Sequence, residues 1–415
     1  MIQKVLQDKF IKDNAIFFAG SMAVAVLNYL YHPVMSRMMS VEDFGEVQAL
    51  ISMTYLVSIL GIIFGTIAVN IVSNQDTSSD SHIKLLSQLY KLAIYVIGAF
   101  AIGIMILSPY LKQALQFESA VSFLPLALGT LIGIPFIFYS SYLKGMKEFG
   151  VMSITGIIAS AGKLLFAVVL VSLGLRVFGA VSAFALATFT ALLYTLYKTR
   201  GVFRLSWREK FVFSPAIKKE LSYGLLIFFS LGFVTFLYTS DVLMVKYFFD
   251  PETAGLYSGI ATIARIIFFA TASVAGVILP TIKIKNSYEE NAKVMKKALV
   301  IIALMGVGAL GVFFLFPSLI ISLLIGEKYL PLADLLPLAG LYVFLASVTN
   351  LFYSYFLALR DRRLIGFSIF GFGVTIILTM LHHESLHAIV IDYTIGATAT
   401  IAGIAINMIY TRYIK

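Results

Sequence analysis

Twelve apolar runs, each long enough to cross a ~30 Å hydrocarbon core as a helix at about 1.5 Å per residue, constrain this chain more than any other feature. They fall at 14–36, 44–73, 84–108, 119–143, 150–174, 176–198, 221–249, 254–280, 293–316, 332–359, 363–381 and 388–411, and charge, proline or Asn/Asp clusters break them. In lipid every backbone amide must find its partner within the protein, so such runs are read as helices. The expected fold is an all-α integral membrane chain of about twelve spans. Composition agrees, with 60% hydrophobic and 13% charged residues against about 45–50% and about 25% in soluble domains. The connections between spans leave no room for a separate catalytic domain.

The net charge of +10 raises the question of nucleic acid, but the basic residues sit in short loops and not on a basic face, so no nucleic-acid partner is expected. They set orientation instead. With the N-terminus inside, 24 of the 31 lysines and arginines fall on the inner side and 5 on the outer, namely Arg37, Lys112, Arg176, Lys246 and Lys328, while Lys163 and Arg265 lie within spans. Retention of positive loops predicts a multi-pass protein of the cytoplasmic membrane with both termini in the cytoplasm. The N-terminal basic lead of Lys4, Lys9 and Lys12 precedes an apolar run with no small-residue exit, which reads as a retained span and not a cleaved signal. Cysteine is absent, which excludes a disulfide framework, a Cys-based metal site and a thiol nucleophile.

Three segments are expected: an N-terminal six-helix lobe at 1–198, a cytoplasmic linker at 199–219 and a C-terminal six-helix lobe at 220–415. The linker carries Arg200, Arg204, Arg208 and Lys210 around Trp207. It either obeys topology alone or meets anionic lipid. The lobes look like repeats. The string from Ser40 to Gly45 matches that from Asp250 to Gly255, Pro109 matches Pro317, FLPLALG at 123 matches LLPLAG at 335, and Leu143 matches Leu357. Repeats with an even number of spans enter the membrane in the same direction, and a substrate path is expected between them.

The strings VEDFGEVQAL after the first run and DVLMVKYFFDPETAGLYSGIATIARII across the seventh and eighth resemble the polysaccharide transporter (Wzx-type flippase) family of the multidrug/oligosaccharidyl-lipid/polysaccharide superfamily. The resemblance implies two six-helix lobes in a V around a cavity that opens alternately to each side. It also implies a flippase that carries polyprenyl-diphosphate-linked oligosaccharide from the cytoplasmic to the outer leaflet for surface polysaccharide biosynthesis, with membrane lipids and polysaccharide polymerase machinery as further partners. Two relatives in that superfamily remain as alternatives. Lipid II flippases have fourteen spans and arginines on spans one, two and eight, of which only Arg265 has a counterpart here. Cation-coupled drug exporters carry buried acids in the first lobe, and none is expected in the first six spans of this chain.

Charges within spans are functional candidates because an unpartnered one costs several kcal/mol. Asp241 and Arg265 lie about equally far from the turn at 250–254, so on antiparallel neighbours they reach similar depth. They read either as a structural ion pair or as a polar wall for diphosphate or sugar. Lys163 falls near the middle of span five with no obvious opposite charge, pointing to a hydrated cavity, with snorkelling as the alternative. Asn28, Tyr31 and His32 share one face of span one at i, i+3 and i+4, either as cavity lining or as a packed polar interface. His383, Glu384 and His387 spell HExxH, which on a helix would present two imidazoles to zinc. The motif falls in the gap between spans eleven and twelve with no cleft around it, so no metal is expected. Tyr139, Tyr142, Tyr353 and Tyr355 are candidates for sugar stacking or for an interfacial belt. No P-loop or DxD string is present, so neither an enzymatic activity nor a cofactor is expected.

Overall fold

The computed structural model describes residues 9–73, 79–201, 203, 205, 215–283 and 285–414. Among them the regular structure is helical throughout: α1 Lys9–Met38, α2 Val41–Ser73, α3 Ser79–Ala114, α4 Phe123–Gly145, α5 Phe149–Ser172, α6 Arg176–Thr199, α7 Pro215–Phe248, α8 Pro251–Thr281, α9 Tyr288–Leu315, α10 Pro317–Leu324, α11 Leu336–Ala358, α12 Arg363–Leu381 and α13 Leu386–Ile414. Short 3-10 turns at Ala120–Ser122 and Glu327–Leu335 precede α4 and α11. Twelve of the helices coincide with the twelve apolar runs, and eleven spans are long and apolar enough to cross a membrane. The exception is α1, whose first side chains lie outside the described residues. The eight-residue α10 was not expected; Pro317 at its first turn has no N–H to lose and opens a new helix where α9 stops.

The breaks between helices have local causes. Ser40 accepts a hydrogen bond from the Asp43 amide at 3.1 Å and so begins α2 with only two residues between it and the end of α1. Asp250 accepts from the Thr253 amide at 3.0 Å, with Pro251 following it, to begin α8. Hydrogen bonds from Thr253 hold the Asp250 carboxyl below the usual carboxylate range. Ser287 and Glu290 form a capping box at the start of α9.

The chain forms two compact units, residues 1–43 with 57–224 and residues 44–56 with 225–415. The opening of α2, expected in the first lobe, therefore groups with the second unit. Within the first unit α5 packs on α1 and α6, while α4 packs on α3 and α6. A Cβ added at Gly20 would come 2.5 Å from the Ser153 Cβ, and one at Gly156 would come 2.9 Å from Val24, so small residues bring α1 and α5 into close contact. Within the second unit α12 packs on α13, α11 on α13 and α9, and α8 on α11. Ser368 on α12 donates to the Phe229 carbonyl on α7 at 2.9 Å.

Three internal pairings correspond. α3 with α4, α4 with α6 and α5 with α6 in one unit match α9 with α11, α11 with α13 and α12 with α13 in the other, whereas the close packing of α1 on α5 has no equal between α7 and α12, which Ser368 and Phe229 link by a hydrogen bond. The turns agree in detail. After α4, Lys147 has φ of 60° and the Glu148 amide reaches back to Leu143; after α11, Arg360 has φ of 53° and the Asp361 amide reaches back to Phe356, both at 2.9 Å. These turns pair Leu143 with Phe356, so the register there is one residue off the Leu143 to Leu357 match suggested by side-chain identity. Burial pulls the Asp361 carboxyl upward, but hydrogen bonds from Arg363 outweigh it and hold the group below the usual carboxylate range.

Candidate functional site

The six candidate residues separate into two clusters, one in each unit. In the first, α1 contributes Asn28, Tyr31 and His32, α5 contributes Lys163, and α6 contributes Phe184. The Lys163 ammonium donates to Asn28 Oδ1 at 2.6 Å and lies 5.0 Å from the ring centroids of both Tyr31 and Phe184. The match in depth follows from the helix lengths: Asn28 is about 15 Å from the end of α1, and Lys163 about 14 Å from the end of α5. Tyr31 is fully buried, and its hydroxyl donates to the Ala180 carbonyl at 3.1 Å. His32 sets its ring edge-on against Tyr31 at 5.5 Å.

Lys163 is 9% exposed, and among the described residues no carboxylate pairs with it. Two ring faces and a neutral amide carry the charge instead. Asn28, its hydrogen-bond partner, is exposed. This arrangement can present a cation to an anionic group without a competing carboxylate.

The second cluster is enclosed. Arg265 Nη2 on α8 lies 2.9 Å from Asp241 Oδ1 on α7, and the hydroxyls of Tyr257 and Tyr342 donate to Asp241 Oδ2 at 2.8 and 2.5 Å. Arg265 also donates to the Thr239 carbonyl at 3.4 Å, and its buried Nε has no partner among the described residues. Asp241 is 0% and Arg265 3% exposed. Next to this core, Ser240 and Tyr393 share a hydrogen bond at 2.7 Å, and the Tyr393 ring packs on Tyr342. The pairing of Asp241 with Arg265 was visible in their spacing. Tyr342, 101 residues from Asp241, and Phe184 carry no sequence signal that ties them to these charges, whereas Tyr257 sits two helical turns before Arg265.

Several expectations need correction. Asp43 and Glu46, in the opening turns of α2, are buried, so the first six helices do hold buried acids. Asp43 precedes the apolar run at 44–73 because the helix begins earlier, at Val41, whereas Glu46 lies inside that run, and acids are favoured near the positive end of a helix. Asp43 receives two hydrogen bonds from Arg176 at 2.8 Å each, and Arg176 also bonds Glu118 at 2.9 Å. Arg176 and Lys246 were read as loop charges; Arg176 is this three-way staple and Lys246, in the last turn of α7, is 0% exposed. The HExxH string does not lie on one helix, because α13 begins only at Leu386 and Ser385 caps it through the Ala388 amide. Its histidines part company: the His383 ring stacks on Phe248 at 4.2 Å, while His387 Nε2 lies 3.4 Å from Asp334. Of the four candidate stacking tyrosines, Tyr142 and Tyr139 pack on Phe203, and Tyr353 and Tyr355 are buried. Arg204, Trp207, Arg208 and Lys210 of the linker lie outside the described residues.

A family model described as polysaccharide biosynthesis protein matches residues 10–286. Among solved structures, the chain is similar to the lipid II flippase MurJ in an inward closed conformation, with a TM-score of 0.73 at 14% identity over 95% of this chain and 87% of that one. It is also similar to a multidrug resistance MATE family transporter of the MOP superfamily in its inward-facing conformation, with a TM-score of 0.70 at 14% identity over 93% and 95%. An outward-facing MATE family transporter gives 0.64 at 15% identity over 97% and 96%. No curated protein matches the chain.

Proposed function

The chain belongs to the polysaccharide biosynthesis protein family and has the fold of MOP superfamily transporters, and from this we propose that it is a flippase for polyprenyl-diphosphate-linked oligosaccharide. It moves this substrate from the cytoplasmic to the outer leaflet by alternating access, with both termini in the cytoplasm, and passes it to polysaccharide polymerase machinery. The task is physical and involves no covalent step. A glycan and a diphosphate cannot enter hydrocarbon bare, since each unpaired polar group would cost several kcal/mol. The path must therefore be hydrated and weakly cationic.

The observation that carries this reading is the Lys163 cluster. A buried ammonium without a carboxylate, hydrogen-bonded to an exposed asparagine in mid-span, fits a wall facing water, because an asparagine turned to lipid at that depth would be costly. Lys163 and Asn28 are read as contacts for the diphosphate, with Tyr31 and His32 shaping the same wall. Arg265 was a candidate for a second cationic contact; its burial and its engagement with Asp241 support a structural role for the pair. In cells, loss of the protein should remove surface glycan and leave lipid-linked oligosaccharide on the inner leaflet. Intact surface glycan together with raised retention of cationic dyes would favour a drug exporter instead.

A further inference from the structure

The C-terminal end of α6 carries a feature that transport leaves unused. Leu193 and Tyr197, one helical turn apart, are 50% and 54% exposed, and the exposed Lys198 and Arg200 follow directly. The Arg200 guanidinium lies 4.3 Å from the Tyr197 ring centroid, and the Lys198 ammonium lies 5.7 and 5.8 Å from the rings of Tyr194 and Tyr197. Among the described residues no carboxylate pairs with either cation.

Neither cation is on a free tail. Three residues on, the Phe203 amide donates to the Thr199 carbonyl at 3.0 Å. The Phe203 ring is 2% exposed and stacks on Tyr142 at 4.2 Å with an interplanar angle of 7°. Arg200 is therefore fixed between the end of α6 and a side chain anchored on α4. From Lys198 to Lys219 the sequence holds seven basic residues and one acid, Glu209, so the local charge strongly favours an anion.

Along this face an apolar side chain, an amphipathic ring and two cations follow one another in the order of acyl chain, interface and headgroup. We infer that Tyr197, Lys198 and Arg200 form a binding site for the headgroup of an anionic phospholipid, with Leu193 alongside its acyl chain. The two cations meet the phosphate, and the tyrosine rings hold them at headgroup depth when no lipid is bound.

The test uses delipidated full-length protein titrated with phosphatidylglycerol or phosphatidylcholine of the same chain length, with bound lipid counted by native mass spectrometry. Each basic residue at an anionic surface is worth about fivefold in affinity, so Lys198→Gln with Arg200→Gln should weaken phosphatidylglycerol binding about twenty-five-fold and leave phosphatidylcholine unchanged. The charge-keeping pair Lys198→Arg and Arg200→Lys should bind as wild type does, which separates charge from folding. Wild-type binding in the glutamine pair would overturn the site. So would an equal loss on changing the exposed Lys296 and Lys297 of α9 to glutamine, which would make the effect one of overall charge.

Discussion

Arg265 Nη2 and Asp241 Oδ1 meet at 2.9 Å from helices joined by the turn at Asp250, 24 residues apart in sequence. Two tyrosine hydroxyls on the other carboxylate oxygen complete the shell. Either single alanine strands an uncompensated charge in the interior and should destabilise by about 3–5 kcal/mol, whereas the double alanine should regain much of that loss. Folded-protein abundance and glycan export, measured for both singles and the double, should fall and recover together. A double mutant that folds but stays inactive would return Arg265 to the substrate path.

Gly45 and Gly255 occupy matching places in the sequence repeat, and a Cβ on Gly45 would lie 2.7 Å from the Gly255 Cα. Backbone cannot step aside as a flexible side chain can, so Gly45→Ala should cost about 1–3 kcal/mol. Gly98→Ala on α3, where a Cβ meets nothing within 4 Å, should cost nothing or stabilise slightly. Thermal unfolding of the two variants in the same detergent checks the contrast.

Arg176 holds φ of 41° while bonding Asp43 and Glu118. Arg176→Ala loses the staple and leaves Asp43 buried without its partner, a loss of about 1–3 kcal/mol. Arg176→Gly removes the same bonds but relieves the left-handed backbone. It should melt at or above the alanine variant, and a clearly lower melting temperature would show that the conformation carries no strain.

The helical plan was legible because lipid leaves the backbone few options, but the start of α8 lies inside the turn expected at 250–254, because Asp250 caps a helix that Pro251 opens. Depth was legible too: equal distance from one turn brings Asp241 to Arg265. Partners contributed by distant helices were not, since nothing near Tyr342 or Phe184 marks them. The HExxH string misled for a related reason. Its spacing has meaning only on a continuous helix, and the chain starts a helix inside it.

His383→Ala and His387→Ala should therefore leave glycan export unchanged at normal protein level. Their imidazoles face Phe248 and Asp334 respectively and share no ligand. Loss of export in either variant, together with stoichiometric zinc in the wild-type protein, would contradict this.

The most direct measurement places purified protein in vesicles with lipid-linked oligosaccharide and follows the glycan exposed on each leaflet with a membrane-impermeant probe. Wild-type protein should redistribute the glycan. Lys163→Ala should fold normally, because its loss strands no carboxylate, yet slow redistribution at least about tenfold, as expected when a charge-assisted contact worth about 1.5–3 kcal/mol is removed. Lys163→Arg should retain part of the rate, since charge survives while shape changes. Redistribution by Lys163→Ala at the wild-type rate would contradict the account.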